Sequence, residues 1–529
     1  MKKYIRSNSK TLLMAMVFTL ISTMFAIRVQ FIKGELLDSG ISGDFSLTLR
    51  YGLKLGVFIA MEMGCFYLYD VSRGKFVVNS MKQLRFDFFD TLISKDYPSF
   101  IKKTSGEYLA QYTNEMDIIE NKYFGTIPLL FEIVGRIVLV SISMFIMDYR
   151  IAIITLLLLT MPLYVPKLVE KKLKNAQIEH VKQFEIHIKK MTDWLNGFEI
   201  IKNYSIEKAI KKDFINSNEL VMEKNFNKRN IGYLTRLISG CLSYFSHFIV
   251  MIFAIYLVIK GEFSAGDFFV TIGMIDQLSY PIIYLSHFIQ DLVSVVPVNE
   301  SMIGFLNSEM HSSEKSKEVI DKVEKIVFED ISFGYGKNTI LNSFNMEFSP
   351  KGKYLLKGKS GSGKTTSINL LLGYYELNSG KISINDVSIA DIKNLNSHFT
   401  VMRQDAILFE DTLRNNLTMY QDMEDELLLE TLEKVGLEKY ANKNSLDMQI
   451  FEGGNNLSGG EKRRITLARS LLRESEIMIF DEPFANIDEK NASEIESLLL
   501  SIKDRMVIII SHQFSEDKLS IFDEIIEFN

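Results

Sequence analysis

Six runs of about 20 mostly apolar residues precede residue 300, at about 11–32, 47–70, 124–147, 150–167, 235–260 and 267–297. A helix rising about 1.5 Å per residue needs about 20 such residues to cross the hydrocarbon layer of a bilayer. Unpaired peptide groups are too costly at that depth, so helices are what these runs dictate. The second run is the weakest, because Arg50, Lys54 and Glu62 interrupt it. The first follows MKKYIRSNSK and superficially resembles a secretory signal. It is too long for a signal core and lacks a small-x-small cleavage site, so it reads as a membrane span.

Positive charge orients the spans. Lys2, Lys3, Arg6 and Lys10 precede the first, and the connections 71–123 and 168–234 are basic, the latter with Lys171, Lys172, Lys174, Lys189, Lys190, Lys211 and Lys212. The short connections GELLDSGISGDFS and KGEFSAGD carry almost none beyond their flanks. Positive loops stay inside, which places both termini and both long connections in the cytoplasm. Each long connection has helical composition, and a pair of 25-residue helices would project about 35–40 Å from the membrane.

Ionisable groups inside spans need a reason. Asp276, Tyr280, His287, Asp291 and Ser294 share one stripe of the sixth span, and Ser239, Ser243, Ser246 and His247 one of the fifth. Glu132 and Arg136, four apart in the third, can pair. A polar substrate cavity and interhelical hydrogen bonding both account for the stripes. Pro281 is expected to kink the sixth helix. Cys65 and Cys241 lie in apolar runs and read as small packing residues rather than disulfide or metal partners.

Beyond residue 320 the chain reads as a soluble α/β protein, and 529 residues exceed what one core usually organises. A polar stretch, 308–322, reads as a linker to a second domain at 323–529. The net charge of −6 argues against a general nucleic-acid binder. In YLLKGKSGSGKTT, Gly358, Gly361 and Gly363 let backbone N–H groups converge on phosphate oxygens at the start of a helix, with Ser360, Ser362 and Thr366 in the same loop. Lys364 is placed to reach the β- and γ-phosphates and Thr365 to ligate Mg²⁺. The apolar strand IMIF ends at Asp481, an acid suited to Mg²⁺, beside Glu482, suited to activate the attacking water. A further strand, MVIII, ends at Ser511-His512, an imidazole within reach of a γ-phosphate.

LSGGE at 457–461, followed by KRRITLARSLL, resembles the signature of ABC-transporter ATPase domains. The resemblance implies ATP and Mg²⁺ as ligands, with Tyr335 stacking on adenine and Gln404 sensing Mg²⁺ and the membrane domain. It also implies that Asp488 lies in a dimer-contact loop, and Glu452 resembles the acidic segment that exporters carry before the signature. The membrane half is similar to the six-span exporter fold (type IV), with SGEYLAQYTNEMDIIEN (about 105–121) and NGFEIIKNYSIEK (about 196–208) resembling its two coupling helices. Departures are Lys357 before the phosphate loop, Ala485-Asn486-Ile487-Asp488 for Ser-Ala-Leu-Asp, and Glu461 for Gln; none removes a required chemical group.

The fold class expected is therefore a membrane all-α domain joined to an α/β P-loop ATPase domain. The resemblance implies two chains closing head to tail, each nucleotide held between one P-loop and the partner's Ser458-Gly459-Gly460. With Glu482, His512 and the LSGG core all present, a homodimer is expected. The expected function is ATP-driven export of a peptide or other amphipathic compound across a bacterial cytoplasmic membrane, with a lipid or multidrug floppase as the alternative. A sensor or translation factor is disfavoured by the six spans. No peptidase domain is expected before the first span.

Overall fold

The computed structural model describes the chain except residues 309–317, 337, 360, 485–488, 513 and 529. Most of the expected linker, Ser360 and Asp488 therefore lie outside the described residues. The chain forms two compact units, residues 1–94 with 104–310, and residues 95–103 with 311–529.

The first unit is helical. Its helices include Ser9–Ile41, Phe45–Ser94, Thr126–Met147, Tyr149–Thr160, Val165–Asn196, Glu207–Ile259 and Ala265–Ser294. Among the described residues, five continuous helical stretches are long and apolar enough to cross a membrane. The fourth expected span differs: its apolar α-helix is only the 12 residues Tyr149–Thr160. A 3₁₀ turn, Met161–Tyr164, joins it to Val165–Asn196. Pro162 cannot donate to the α ladder, which explains the break. The sixth helix runs unbroken through Pro281. Helices of 50 and 53 residues, Phe45–Ser94 and Glu207–Ile259, exceed any bilayer thickness and continue as the long connections.

Small residues bring the first and sixth helices together. A Cβ on Gly34 would lie 2.6 Å from Val270, and one on Gly273 would lie 2.2 Å from Gln30 Oε1. Asp38 accepts from Ser264 Oγ and the Gly266 N–H, both at 2.7 Å, and so fixes the start of Ala265–Ser294. Ser264 and Asp267 complete a capping box there.

The described residues of the second unit form two sheets. β1 (Ile326–Tyr335), β2 (Asn338–Phe348), β4 (Ser379–Ile384) and β5 (Val387–Ser388) form an antiparallel sheet in the order β2-β1-β4-β5. β3 (Lys353–Gly358), β6 (Phe399–Met402), β7 (Ile477–Asp481), β8 (Met506–Ile510) and β9 (Glu524–Phe528) form a parallel sheet in the order β6-β7-β8-β3-β9. Ile477, Ile479, Met506, Ile508 and Ile510 face one core, whereas Met478, Phe480, Val507 and Ile509 face the other. Burial on both faces is why IMIF and MVIII read as continuous apolar runs instead of alternating. The parallel order brings the carboxyl ends of β3, β8 and β7 side by side, the usual place for a ligand in an open α/β sheet.

The short helix Tyr97–Phe100 belongs to the second unit, where the Tyr97 ring stacks on Tyr374 with centroids 3.9 Å apart. Residues 105–121, which the sequence pattern offered as the first coupling helix, belong to the first unit and lead into its third membrane helix. The second coupling segment forms the short helix Phe198–Asn203, with Phe198 and Ile200 exposed.

Candidate functional site

After β3 the chain turns through glycines that no side chain could replace cheaply. Gly358, Gly361 and Gly363 have φ of 155°, 84° and 101°. A Cβ on Gly358 would approach the Phe528 carbonyl oxygen to 2.4 Å. The helix Lys364–Leu371 then begins. Lys364 is buried, and its Nζ donates to the carbonyls of Gly358 and Lys359, each at 2.8 Å. Burial pulls its pKa down, against the pull of Glu482 and Asp481. Ser362 Oγ is buried and has no hydrogen-bond partner among the described residues, one unsatisfied polar atom inside the phosphate loop.

At the end of β7, Asp481 is 5% exposed and accepts from Thr365 Oγ1 at 3.1 and 3.3 Å. Burial raises its pKa, opposed by the Thr365 hydrogen bond and by Arg403 and Lys364. Glu482 adopts a left-handed turn at φ 51°, a conformation costing about 1–3 kcal/mol for a residue with a side chain. Its N–H is anchored to the Ile510 carbonyl at 2.9 Å and its Oε1 lies 3.3 Å from His512 Nε2. Burial also raises the pKa of Glu482, with His512 opposing. Lys364, Thr365, Asp481, Glu482 and His512, from segments distant in sequence, thus converge at the carboxyl end of the parallel sheet.

The remaining predicted residues share no hydrogen bond with this cluster among the described residues. Tyr335 ends β1 with its ring 44% exposed, edge-on to Phe333 and Tyr375 at 5.1 and 5.3 Å, which leaves a ring surface open for stacking. Gln404 is exposed, and its carbonyl accepts from Arg463 at 2.9 Å. Ser458 is exposed and caps the helix Gly459–Leu472, with Gly459 and Gly460 in its first turn. Ser458 Oγ accepts from the Glu461 N–H at 3.3 Å, and Glu461 Oε2 accepts from the Ser458 N–H at 2.7 Å. Burial works against the Glu461 charge, yet Lys439 and the Ser458 donors hold its pKa at about 2.

One contact was not legible in advance. Arg403 approaches Asp481 Oδ2 at 4.0 Å and sits 5.5 Å from the centroid of the Tyr374 ring, the ring on which Tyr97 stacks. Its only sequence signal was adjacency to Gln404.

In the first unit, both readings of the polar stripes find contacts. His247 Nε2 lies 3.3 Å from Asp276 Oδ1 and from Ser279 Oγ. Lys122 lies 3.8 Å from Asp291 and 3.5 Å from Ser294, and Arg136 pairs with Glu132 at 3.4 Å. Asp276 nevertheless has a mostly exposed side chain and lines a recess of about 330 Å³.

Comparison with known proteins decides the family. Residues 12–282 match the ABC transporter transmembrane region, and residues 341–485 match the ABC transporter family. The chain belongs to the ABC transporters. With both regions fused in one chain, it is a half-transporter of the type IV exporter fold. Among its relatives is the multidrug resistance-like ATP-binding protein MdlB of Buchnera aphidicola subsp. Acyrthosiphon pisum, 26% identical over 97% of this chain and 90% of that protein. Another is the lactococcin-G-processing and transport ATP-binding protein LagD of Lactococcus lactis, 26% identical over 96% of this chain and 73% of LagD. The solved structure of a bacterial Atm1-family ABC exporter with ATP bound superposes with a TM-score of 0.82 at 17% identity, covering 99% of this chain and 94% of that one. This transporter is thus a multi-pass membrane protein that couples ATP hydrolysis to export.

Proposed function

We propose that the transporter exports a peptide or other amphipathic compound across the bacterial cytoplasmic membrane as a homodimer with two ATP sites. The observation that carries the mechanism is the convergence of Lys364, Thr365, Asp481, Glu482 and His512 at the carboxyl ends of neighbouring parallel strands. The N–H groups of residues 358–366 and Lys364 Nζ hold the phosphates, and the unpaired Ser362 hydroxyl fits the same loop. Thr365 and Asp481 would hold Mg²⁺, with Gln404 as a further ligand; when bound, the ion neutralises phosphate charge.

Glu482 accepts the proton of the attacking water, and its anchored turn and His512 hold it in place. His512 also contacts the γ-phosphate, and Tyr335 stacks on adenine. Ser458, Gly459 and Gly460 face the nucleotide of a second copy. The Ser458 side chain is engaged only in its own cap among the described residues, and the amino end of Gly459–Leu472 offers its remaining N–H groups to phosphate. ATP binding favours the closed pair and hydrolysis releases it.

Peptide cargo is supported by the likeness to LagD across nearly the whole chain. The likeness to MdlB supports multidrug export as the second reading. ATP-dependent uptake into inside-out vesicles separates them. Labelled apolar peptide accumulating in preference to a cationic dye supports the first, and the reverse order refutes it.

A further inference from the structure

Two recesses in the membrane unit share Lys33 and Phe269 in their walls. One, of about 540 Å³, is completed by Leu36, Leu37, Gly40 and Ile41 and is apolar. The other, of about 330 Å³, adds the polar Gln30, Arg136, Asp276 and Gln277 beside Ile272 and Gly273, so that its lining is about half polar. A single ligand lying across Lys33 would meet apolar walls on one side and hydrogen-bonding groups on the other.

The polar recess has donors and an acceptor to spare. Lys33 makes no ion pair or hydrogen bond among the described residues. Arg136 spends one Nη on Glu132 at 3.4 Å, whereas its Nε is buried and unpartnered. Gln277 donates Nε2 to the Ala26 carbonyl at 3.1 Å, and its Oε1 is buried and unpartnered. The carboxylate on the rim, Asp276, engages His247, and among the described residues the charge of Glu62 acts on both Lys33 and Arg136 without an ion pair or hydrogen bond to either. Polar groups left unmatched in a membrane domain are costly, and they mark ligand or ion pathways.

Two cationic donors and one neutral acceptor describe a particular partner: an anionic oxygen pair next to an N–H. We infer that this recess binds the C-terminal carboxylate of an apolar peptide. The carboxylate accepts from Lys33 Nζ and Arg136 Nε, and the last peptide N–H donates to Gln277 Oε1. The preceding apolar side chains lie against Leu36, Leu37, Ile41 and Phe269. A fatty acid or a phosphate headgroup brings the anion without the N–H and leaves Gln277 unpaired. The inference rests on the peptide-export reading for the nature of the cargo.

The test uses the full chain in phosphatidylcholine nanodiscs and an apolar decapeptide with an N-terminal fluorophore. Fluorescence anisotropy compares the free acid with its C-terminal amide. The free acid is expected to bind at least about tenfold more tightly. Lys33→Met should reduce that gap to less than about twofold, and Lys33→Arg should keep most of it, with basal ATPase unchanged in both. Gln277→Leu should weaken the free acid several-fold without weakening competition by dodecanoate. Equal affinities for acid and amide, binding of neither, or a gap that survives Lys33→Met would overturn the inference. If the gap is intact but ATP drives no peptide uptake into inside-out vesicles, the binding site stands and the export reading alone fails.

Discussion

Replacing Glu482 with Gln tests the assignment of the base with little disturbance elsewhere. The amide is close in shape, and the contact that fixes the left-handed turn, the Glu482 N–H to the Ile510 carbonyl at 2.9 Å, belongs to the backbone. The phosphate loop, Lys364 and the Thr365–Asp481 pair are untouched. What disappears is a carboxylate able to take a proton. A positioned base contributes on the order of 10²–10⁴ in rate, or about 3–5 kcal/mol of barrier. Removing one of two neighbouring negative charges beside the phosphate site also removes repulsion, so ATP affinity should hold or rise. Single-turnover hydrolysis and equilibrium ATP binding, both in lipid nanodiscs, read the two effects separately. The variant should lose at least about 100-fold in turnover while binding ATP within about threefold of wild type. Turnover within about threefold of wild type would refute the assignment, and a tenfold loss of ATP affinity would refute the claim that the residue acts in chemistry alone.

Other outcomes follow from the same geometry. Lys364→Ala should weaken ATP binding itself at least about tenfold by isothermal titration, because the buried ammonium faces the phosphate loop. Ser458→Ala breaks the capping box and should cost about 1 kcal/mol in thermal unfolding, with a far larger fall in ATPase because a second copy's nucleotide loses a ligand. With Cys65 and Cys241 replaced, cysteines at Ser42 and Ala265 should react with an impermeant thiol reagent on intact cells, and one at Ser105 should not. Glu461, held at about 2 against an ordinary value near 4.5, stabilises its helix above pH 4.5 and loses that contribution as pH falls toward 2. Glu461→Gln should therefore lower the unfolding temperature at pH 7 and converge with wild type near pH 2, as followed by circular dichroism.

The parts of the fold that come from local physics were legible in the chain. Apolar run length dictated membrane helices, and the spacing of Gly358, Gly361 and Gly363 marked the phosphate loop, where all three adopt positive φ. The fourth span was harder, because its hydropathy continues past Pro162 where the α ladder does not. Residues 105–121 group with the first unit, whereas the short stretch around Tyr97 groups with the ATPase unit through a ring contact with a residue far away in sequence, which no local pattern reveals. Lys33 lies just past the first apolar run, about 11–32, but the helix continues to Ile41 and carries the lysine into the recess wall. Arg403 and Gln277 depend on which neighbours they lack or meet in space, and periodicity carries no such information.

The central claim is that two copies of this chain alone form the working ATPase. The decisive measurement is the mass and ATP stoichiometry of the purified chain in lipid nanodiscs, together with its hydrolysis rate as a function of ATP concentration. Two chains per particle, two ATP bound and a sigmoidal rate curve are the predicted result. A single chain that hydrolyses ATP without cooperativity, or one that stays inactive until a different chain is added, would contradict it.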